Sequence, residues 1–442
     1  MGLETIKTAS TAALAAIAGA AQVSEGPGLS ARQIAVSQQA IAPGATISHW
    51  VSPATVADLA TVLAAAQTAA WSIIPCGAGS KLDWGGLITS PAIALSTQHL
   101  NRLVDHAVGD LTVTVEAGMP FATLQALLAE QGQFLAIDPA YPDQATIGGV
   151  IATGDTGSLR HRYTSVRDMV LGIEFVRADG QIAKAGGRVV KNVAGYDLMK
   201  LFTGSYGTLG VLTQVTLRVY PLPDSTKTVV LTGEGGAIAQ VAQQLIRSAL
   251  TPVSVDLVSA TVVANLGLGQ GEGLLVRFQG IGASVHTQSE TVAAWGRSHS
   301  LAVANYDQAD DPTLWQRLRD QIPPPTPTGA IACKIGIQPT AAIALYRHID
   351  SLEVAGWAGQ LHLGSGLGWL VFPTVEAAIV RQIRTFCEAH SGFLTMLQAP
   401  PPAKQQLDVW GDVGPALATM QAIKQTFDPQ RRLSSGRFVG GI

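Results

Sequence analysis

Three glycine-rich stretches in the first half of the chain, each beside a run of strand-forming residues, limit the possible folds more than any other feature. They are "PCGAGSK" at 75–81, "DQATIGGVIATGDTGSLR" at 143–160 and "RVVKNVAGYDLMKLFTGSYGTLG" at 188–210. Successive backbone N–H groups in such turns form a concave anion site, and the small side chains let a ligand approach closely. On its own each stretch is a weak signal, because a lone G-x-G is more typical of a surface turn. Neither G-x-G-x-x-G nor G-x-x-x-x-G-K-[ST] occurs, which argues against a Rossmann or P-loop site.

The residues around these stretches predict a first domain of mixed helices and strands. Ser52 and Pro53 predict the N-cap and first residue of a helix that follows the strand-like "ISHWV". Pro120 predicts the start of a second helix, which Gly132 is expected to end. The segment "GIEFVRADGQIAKAG" at 172–186 has a D-G turn between two alternating runs, which predicts a β-hairpin.

The pattern restarts after Pro223, so the sequence predicts a second domain. Strand-like "KTVVLTG", "VSVDLVS", "LLVRFQG" and "CKIGIQP" alternate there with helical stretches. A chain of 442 residues is also longer than one ordinary core. We therefore divide it into an N-terminal helical segment at 1–45, a first domain at 46–225, a second at 226–405, and a C-terminal helix and tail at 406–442.

Composition excludes several classes of protein. The formal charge of −3 gives no general attraction to nucleic acid or to an anionic membrane. Charged residues are 13% of the chain, about half the usual share. Either a partner covers part of the surface, or the sequence is simply biased toward alanine and glycine. The three cysteines lie far apart, and no histidine pair has zinc-site spacing. We expect no metal site, no iron–sulfur cluster and a reducing, cytoplasmic compartment.

The N-terminal run "TASTAALAAIAGAAQ" at 8–22 imitates a secretory signal peptide. It consists mostly of alanine rather than leucine, and Lys7 before it is offset by Glu4. It is also shorter than the roughly 20 apolar residues that span a bilayer. We expect an N-terminal helix, no transmembrane segment, and membrane association only through partner proteins.

In their order and spacing, the three stretches resemble the FAD-binding domain of the vanillyl-alcohol oxidase and p-cresol methylhydroxylase flavoproteins. Within that superfamily the chain is most similar to the FAD-binding subunit of glycolate oxidase (glycolate dehydrogenase), especially its cyanobacterial form. The segments that carry the resemblance are 73–86, 138–163, 166–180, 188–218 and 427–442. The resemblance implies an α+β fold: a p-cresol methylhydroxylase-type FAD-binding domain of two α/β subdomains, plus a smaller α+β cap domain. The second domain matches in general pattern alone.

The resemblance also implies bound FAD. In this family the glycine-rich turns hold the diphosphate and ribityl chain, and the strand after "GTLG" passes beside the adenine. Asp197 is expected to cap a short helix within the third stretch. The residues that the resemblance places at the cofactor are Pro75, Cys76, Gly77, Ala78, Gly79, Ser80, Lys81, Thr146, Ile147, Gly148, Gly149, Ala152, Thr153, Gly154, Gly157, Arg162, Tyr163, Gly210 and Val211.

The chain departs from the family pattern at several positions. Relatives that tether FAD through histidine often carry it where this chain has Ser80, and Cys76 replaces an arginine that is common in the same loop. Ser434-Ser435 replaces the usual Asn-Pro, and Tyr206 replaces a glutamate. A serine hydroxyl is a poor nucleophile without an adjacent base. The Cys76 thiol is the one rival for a covalent bond. We expect FAD to be held non-covalently.

Oxidation of a 2-hydroxy acid needs a cation for the carboxylate, a base for the hydroxyl proton and a flavin to accept hydride. Arg160 and His161, in "RHRY", are candidates for the first two, although this cluster can instead position the dinucleotide. His362 is a third candidate, because the family places substrate contacts in the second domain; a solvated strand histidine is the alternative. The "HxGDGNLH" region of catalytic relatives is absent.

The resemblance implies an FAD-binding subunit of a complex that oxidises glycolate to glyoxylate. Its expected partners are a sister flavoprotein subunit, an iron–sulfur subunit that accepts electrons, and a small 2-hydroxy-acid substrate. Two alternatives remain open. The chain can be a flavin-bound scaffold or electron relay without substrate turnover of its own, or an independent dehydrogenase for another 2-hydroxy acid.

Overall fold

The computed structural model describes residues 11–19, 22–25, 29–89, 92–187, 195–322 and 329–442. The beginning of the third glycine-rich stretch, at 188–194, lies outside the described residues, as do the proline cluster at 323–327 and the charged residues Glu4 and Lys7. Helices α1 (Thr11–Ala18) and α2 (Ala31–Ala40) occupy the N-terminal segment. No helix among the described residues is both long enough and apolar enough to cross a bilayer.

A four-stranded sheet follows, in the order β1–β2–β4–β3. Its strands are β1 (Val23–Glu25), β2 (Ile47–Val51), β3 (Ser72–Cys76) and β4 (Ala92–Ser96). Strand β4 runs parallel to both β2 and β3, and helix α3 (Val56–Ala69) makes the crossover between those two strands. Leu59 and Leu63, on the inner face of α3, are buried in the core beneath it.

The second sheet is antiparallel, in the order β5–β6–β10–β8–β9. Its strands are β5 (Leu103–Ala107), β6 (Thr112–Glu116), β8 (Val170–Val176), β9 (Ile182–Gly186) and β10 (Val211–Arg218); β7 (Gln133–Phe134) and β11 (Tyr220–Pro221) form a separate short pair. The predicted D-G hairpin is confirmed, since β8 pairs with β9 across Gly180, which adopts a φ of +83°. The helices beside this sheet are α4 (Phe121–Ala129), α5 (Ile147–Thr153), α6 (Arg160–Tyr163), α7 (Val166–Met169) and α8 (Leu198–Phe202).

Two predicted helix ends are wrong by two or three residues. Helix α3 is capped by Thr55, whose hydroxyl accepts from the Asp58 amide at 3.1 Å, and not by Ser52. Ser52 instead follows the last residue of β2, where its amide donates a hydrogen bond to the Gln22 carbonyl. Helix α4 ends at Ala129, before Gly132. Asp197 precedes α8, but its side chain makes no capping hydrogen bond.

The third sheet has eight antiparallel strands in the order β15–β12–β14–β13–β17–β18–β16–β19. These are β12 (Ser225–Gly233), β13 (Ser254–Val258), β14 (Glu272–Gly280), β15 (Ala302–Asp307), β16 (Ile331–Gly336), β17 (Ala358–His362), β18 (Leu367–Phe372) and β19 (Phe393–Gln398). Its helices are α9 (Gly235–Ile246), α10 (Ala260–Leu266), α11 (Gly282–Ser298), α12 (Asp311–Gln321), α13 (Ala342–Ser351), α14 (Ala377–Ala389) and α15 (Pro401–Gln406).

The C-terminal helix α16 (Ala416–Phe427) returns the chain to the first two sheets. Its Phe427 packs against the core of the second sheet. Its buried Lys424 donates to the carbonyls of Thr208 and Leu433, each at 2.8 Å, and pairs with Asp428 at 2.6 Å. Three buried partners fix the ammonium group, so the tail after α16 is tied to the turn before β10.

Candidate functional site

The described parts of the three glycine-rich stretches meet in one cleft. The first stretch lines it directly after β3, the second lines it through α5 and the N-cap of that helix, and the third lines it through the turn that leads into β10. Helix α5 begins where Thr146 accepts a hydrogen bond from the Gly149 amide, and it ends at Gly154, which has a φ of +60°. Local capping therefore fixes the middle wall of the cleft.

Most residues that the sequence places at a cofactor do line this cleft. They are Pro75, Cys76, Gly77, Ala78, Gly79, Ser80, Lys81, Thr146, Gly148, Gly149, Ala152, Thr153, Gly210 and Val211. The other five do not. Ile147 is buried in the core, Gly154 ends α5, and Gly157 lies against Asp138. Arg162 is exposed, and Tyr163 packs edge-on to Tyr220, with ring centroids 4.8 Å apart.

The loop after β3 presents hydrogen-bond donors that the protein does not use. Within the described residues, none of the backbone N–H groups of 77–81 donates to a protein acceptor. The carbonyls of this loop are engaged, because the Gly77 oxygen accepts from the Ser96 hydroxyl at 2.7 Å. A turn that directs free N–H groups into a cleft suits an anionic ligand.

The glycines of the cleft differ in how strongly the surrounding protein requires a residue without a side chain. A Cβ at Gly77 would lie 2.0 Å from Thr146 Oγ1, and one at Gly148 would lie 2.9 Å from the Ala117 carbonyl. Packing within the protein therefore requires both. At Gly149 the nearest atom to a Cβ is the Thr146 hydroxyl oxygen, at 3.1 Å, a tight contact that a small movement of the Thr146 side chain would relieve. Gly149 is therefore less constrained by the protein than Gly77 or Gly148, and it lines the cleft.

Cys76 is poorly suited to covalent attachment. Its Sγ lies 3.8 Å from the Leu95 carbonyl oxygen, and burial raises the pKa of the thiol to about 12. The thiolate is the nucleophilic form, so the group is unreactive near neutral pH.

Several residues outside the predicted cofactor set also line the cleft, and the two largest polar side chains among them are Tyr206 and Arg437. Tyr206 is buried with a φ of +54°, an uncommon conformation for a bulky residue. Arg437 reaches the cleft from the C-terminal tail. The replacement of a family glutamate was the signal available for Tyr206, whereas nothing in the local sequence marks Arg437. The others are Leu82, Thr97, Ala145, Ser205, Gly207 and Leu212.

A second, small pocket lies between the second stretch and the eight-stranded sheet. An ion pair joins the walls of the two cavities, because Lys81 of the cleft lies 2.7 Å from Asp155 of the pocket. The residues around this pocket are Asp138, Pro139, Ala140, Asp155, Thr156, Gly157, Ser158, Arg319, Ile322, Gln360, His362 and Trp369. The pocket therefore adjoins the cleft and takes groups from the second glycine-rich stretch, from α12 and from the eight-stranded sheet.

His362 is buried in this pocket and is not a solvated strand residue. Its Nδ1 lies 2.9 Å from Asp256 Oδ1, which accepts because a carboxylate has no proton to give when ionised. Ser158 Oγ at 2.5 Å and Gln360 Nε2 at 2.7 Å donate to the other Asp256 oxygen. The His362 Nε2 atom is buried without a hydrogen-bond partner among the described residues. The arrangement leaves Nε2 free to accept a proton.

Arg319, on α12, brings a guanidinium to the same pocket. Its Nε is buried without a hydrogen-bond partner in the described structure, and burial lowers its pKa. The nearby carboxylate of Asp138 accepts instead from the amides of Gly157 and Leu159, each at 3.1 Å. A further, half-buried cation is Lys334, whose ammonium nitrogen lies 4.9 Å from the centroid of the Trp369 ring.

The predicted cluster Arg160 and His161 lies beside the pocket but does not line it. The His161 ring packs on the backbone of Gly364, where an added Cβ would lie 2.0 Å from Nδ1. Burial lowers the pKa of His161, with the charge of Asp256 acting in the opposite direction. Arg160 is half-buried on α6. No group of three or more His, Cys, Asp or Glu side chains among the described residues is arranged to hold a metal ion.

Comparison with known proteins relates the cleft to one cofactor. Residues 47–186 match a family model described as an FAD binding domain. The chain is 39% identical to the glycolate oxidase subunit GlcE of Escherichia coli (strain K12) over 148 residues, 33% of this chain and 42% of that protein. It is 31% identical to the glycolate oxidase subunit GlcD of Bacillus subtilis (strain 168) over 207 residues, 47% of this chain and 44% of that protein. The matches thus span less than half of either relative.

The fold as a whole matches a solved flavoprotein structure. The crystal structure of p-cresol methylhydroxylase with substrate bound superposes with a TM-score of 0.77, covering 98% of this chain and 97% of that one at 15% identity. The α+β fold with a p-cresol methylhydroxylase-type domain is therefore confirmed. The free N–H groups after β3 fit the anionic part of FAD. Residues 47–186 therefore match the FAD-binding domain family, and the chain is similar to the glycolate oxidase subunits over part of its length.

Proposed function

We propose that this chain oxidises a small 2-hydroxy acid with FAD bound in the cleft, and that glycolate is its substrate. The observation that carries the proposal is the pocket beside the cleft, where the unpaired atoms Arg319 Nε and His362 Nε2 are both buried. FAD bound in the cleft supplies the two-electron oxidant. The chain's own residues must then hold the carboxylate and remove one proton.

Arg319 is suited to bind the carboxylate of the substrate. A guanidinium binds a carboxylate through two parallel hydrogen bonds, and its planar fork fixes the orientation of the acid. Arg319 enters from α12 of the second domain and forms no ion pair among the described residues.

His362 is placed to accept the hydroxyl proton of the substrate. Asp256 holds Nδ1 as the donor, which leaves the Nε2 lone pair to accept the proton as hydride leaves the α-carbon. Loss of the hydroxyl proton and of the α-carbon hydride converts the 2-hydroxy acid into a 2-oxo acid. Asp256 is itself held by Ser158 and Gln360, so the imidazole orientation is fixed from both domains.

Replacing Arg319 by glutamine tests the carboxylate role. We expect the glycolate concentration that half-saturates anaerobic flavin reduction to rise about 30-fold or more, the loss typical of removing one partner of a buried charge pair. The measurement is stopped-flow bleaching of the flavin band. The matched control is Arg317→Gln on the same helix, because Arg317 is exposed and donates to the Leu266 carbonyl. Equal behaviour of both variants would count against the proposal.

Electrons are proposed to leave through partner subunits of a glycolate oxidase complex, a sister flavoprotein and an iron–sulfur protein. The support is the similarity to segments of two glycolate oxidase subunits. The three cysteines are free and well separated in the chain, so they offer no set of cluster ligands.

We also propose that FAD is held without a covalent bond. The raised pKa of Cys76, about 12, and the weak nucleophile Ser80 support this. Acid precipitation of the purified protein is expected to leave the yellow colour in the supernatant. Cys76→Ala is expected to behave identically. Flavin that stays in the wild-type pellet and is released from the Cys76→Ala pellet would overturn the proposal.

A further inference from the structure

Arg437 is a buried cation on the wall of the FAD cleft. Its side chain is 4% exposed, and it comes from the C-terminal tail rather than from the FAD-binding segment 47–186. Nε donates to the Trp84 carbonyl at 3.2 Å, and Nη2 donates to the Lys81 carbonyl at 2.6 Å. The guanidinium carbon lies 5.6 Å from the Tyr206 ring centroid. These contacts fix its position beside the loop at 77–81.

No carboxylate of the described chain pairs with this guanidinium. Asp83 is the acidic side chain whose charge acts on Arg437, but it accepts from Gln398 Nε2 at 2.8 Å and forms no ion pair with the arginine. Lys81, the other cation on the cleft wall, is already paired with Asp155 at 2.7 Å. A buried charge without a counterion is costly, so this one calls for an anionic ligand.

We propose that Arg437 binds the diphosphate of FAD and neutralises part of its charge. A guanidinium carries five N–H donors, and the carbonyls of Trp84 and Lys81 use two of them. The remaining donors lie next to the loop at 77–81, whose free backbone N–H groups also suit phosphate oxygens. The proposal concerns cofactor binding and does not depend on which substrate is oxidised.

The test compares two flavins that differ in the diphosphate. FAD and riboflavin are titrated into the flavin-free protein, and flavin fluorescence reports each Kd. For Arg437→Gln we expect the FAD Kd to rise about 30-fold or more and the riboflavin Kd to stay within threefold of wild type. For Arg437→Lys, which keeps the charge but not the planar fork, we expect a rise of about 3- to 10-fold for FAD alone. Arg431→Gln, an exposed arginine of the same tail, is the control.

Two results would overturn the proposal. One is an FAD Kd of Arg437→Gln within threefold of wild type. The other is an equal loss for FAD and riboflavin, which would mean that Arg437 only shapes the cleft through Trp84 and Lys81. If Arg437→Gln does not fold, as judged by its thermal unfolding without flavin, the same ratio of FAD loss to riboflavin loss in Arg437→Lys decides the question.

Discussion

Replacement of His362 by asparagine is expected to slow reduction of the bound flavin by a 2-hydroxy acid about 10²- to 10⁴-fold, the usual contribution of a general base. The asparagine amide can still donate to Asp256, as His362 Nδ1 does at 2.9 Å, but it offers no lone pair in place of Nε2. The local packing should therefore survive while the proton acceptor is lost. Anaerobic stopped-flow absorbance at the flavin band measures the rate, and flavin content should match wild type.

The matched control is His161→Asn. His161 was predicted from sequence as a base, and it lies near the same carboxylate, but its Nδ1 packs against Gly364 outside the lining of the pocket. We expect its rate to stay within about threefold of wild type. A large loss in His161→Asn with a near-normal rate in His362→Asn would reverse the assignment of the base.

Replacement of Gly149 by valine is expected to abolish flavin binding while the protein stays folded. The nearest protein atom to a Cβ at 149 is the Thr146 hydroxyl oxygen, at 3.1 Å, which a small movement of the Thr146 side chain can accommodate, and residue 149 lines the cleft where the flavin is proposed to bind. The ratio of flavin to protein after purification, from absorbance, is the measurement. Thermal unfolding of the flavin-free protein checks the fold.

Two other glycine variants serve as controls for this prediction. Gly109→Val, at a position with no atom within 4 Å of a Cβ, should keep its flavin. Gly148→Val should destabilise the fold itself, because its Cβ would lie 2.9 Å from the Ala117 carbonyl. Full flavin content in Gly149→Val would mean that the cleft is not the cofactor site.

The sequence predicts the walls of the cleft well because each wall is local. A glycine-rich turn after a strand, and a threonine cap before α5, are determined by neighbouring residues. Arg162 and Tyr163, which the family resemblance places at the cofactor, lie on α6 outside the residues that line the cleft. The division of the chain into domains stays a prediction, although the eight-stranded sheet runs from Ser225 to Gln398.

The groups that complete the two cavities depend on contacts between distant residues. Asp256 meets His362 from 106 residues away, and Arg437 meets Lys81 from 356 residues away. Arg319 belongs to a helix that reads as an ordinary amphipathic surface helix, and its unpaired Nε is visible only in the folded chain. Periodicity and spacing in the sequence do not predict these pairs, because the residues are brought together by the order of strands in the sheet and by the path of the C-terminal tail.

The most direct test of the central claim is anaerobic mixing of the purified single chain with glycolate, and separately with D-lactate, while the flavin band is recorded. If the cleft holds FAD and the adjoining pocket oxidises a 2-hydroxy acid, the band bleaches with saturating dependence on the acid, and the glycolate reaction produces one glyoxylate per flavin. A flavin that stays oxidised with both acids, and is reduced only after a partner protein is added, would contradict this and identify the chain as a relay without substrate turnover of its own.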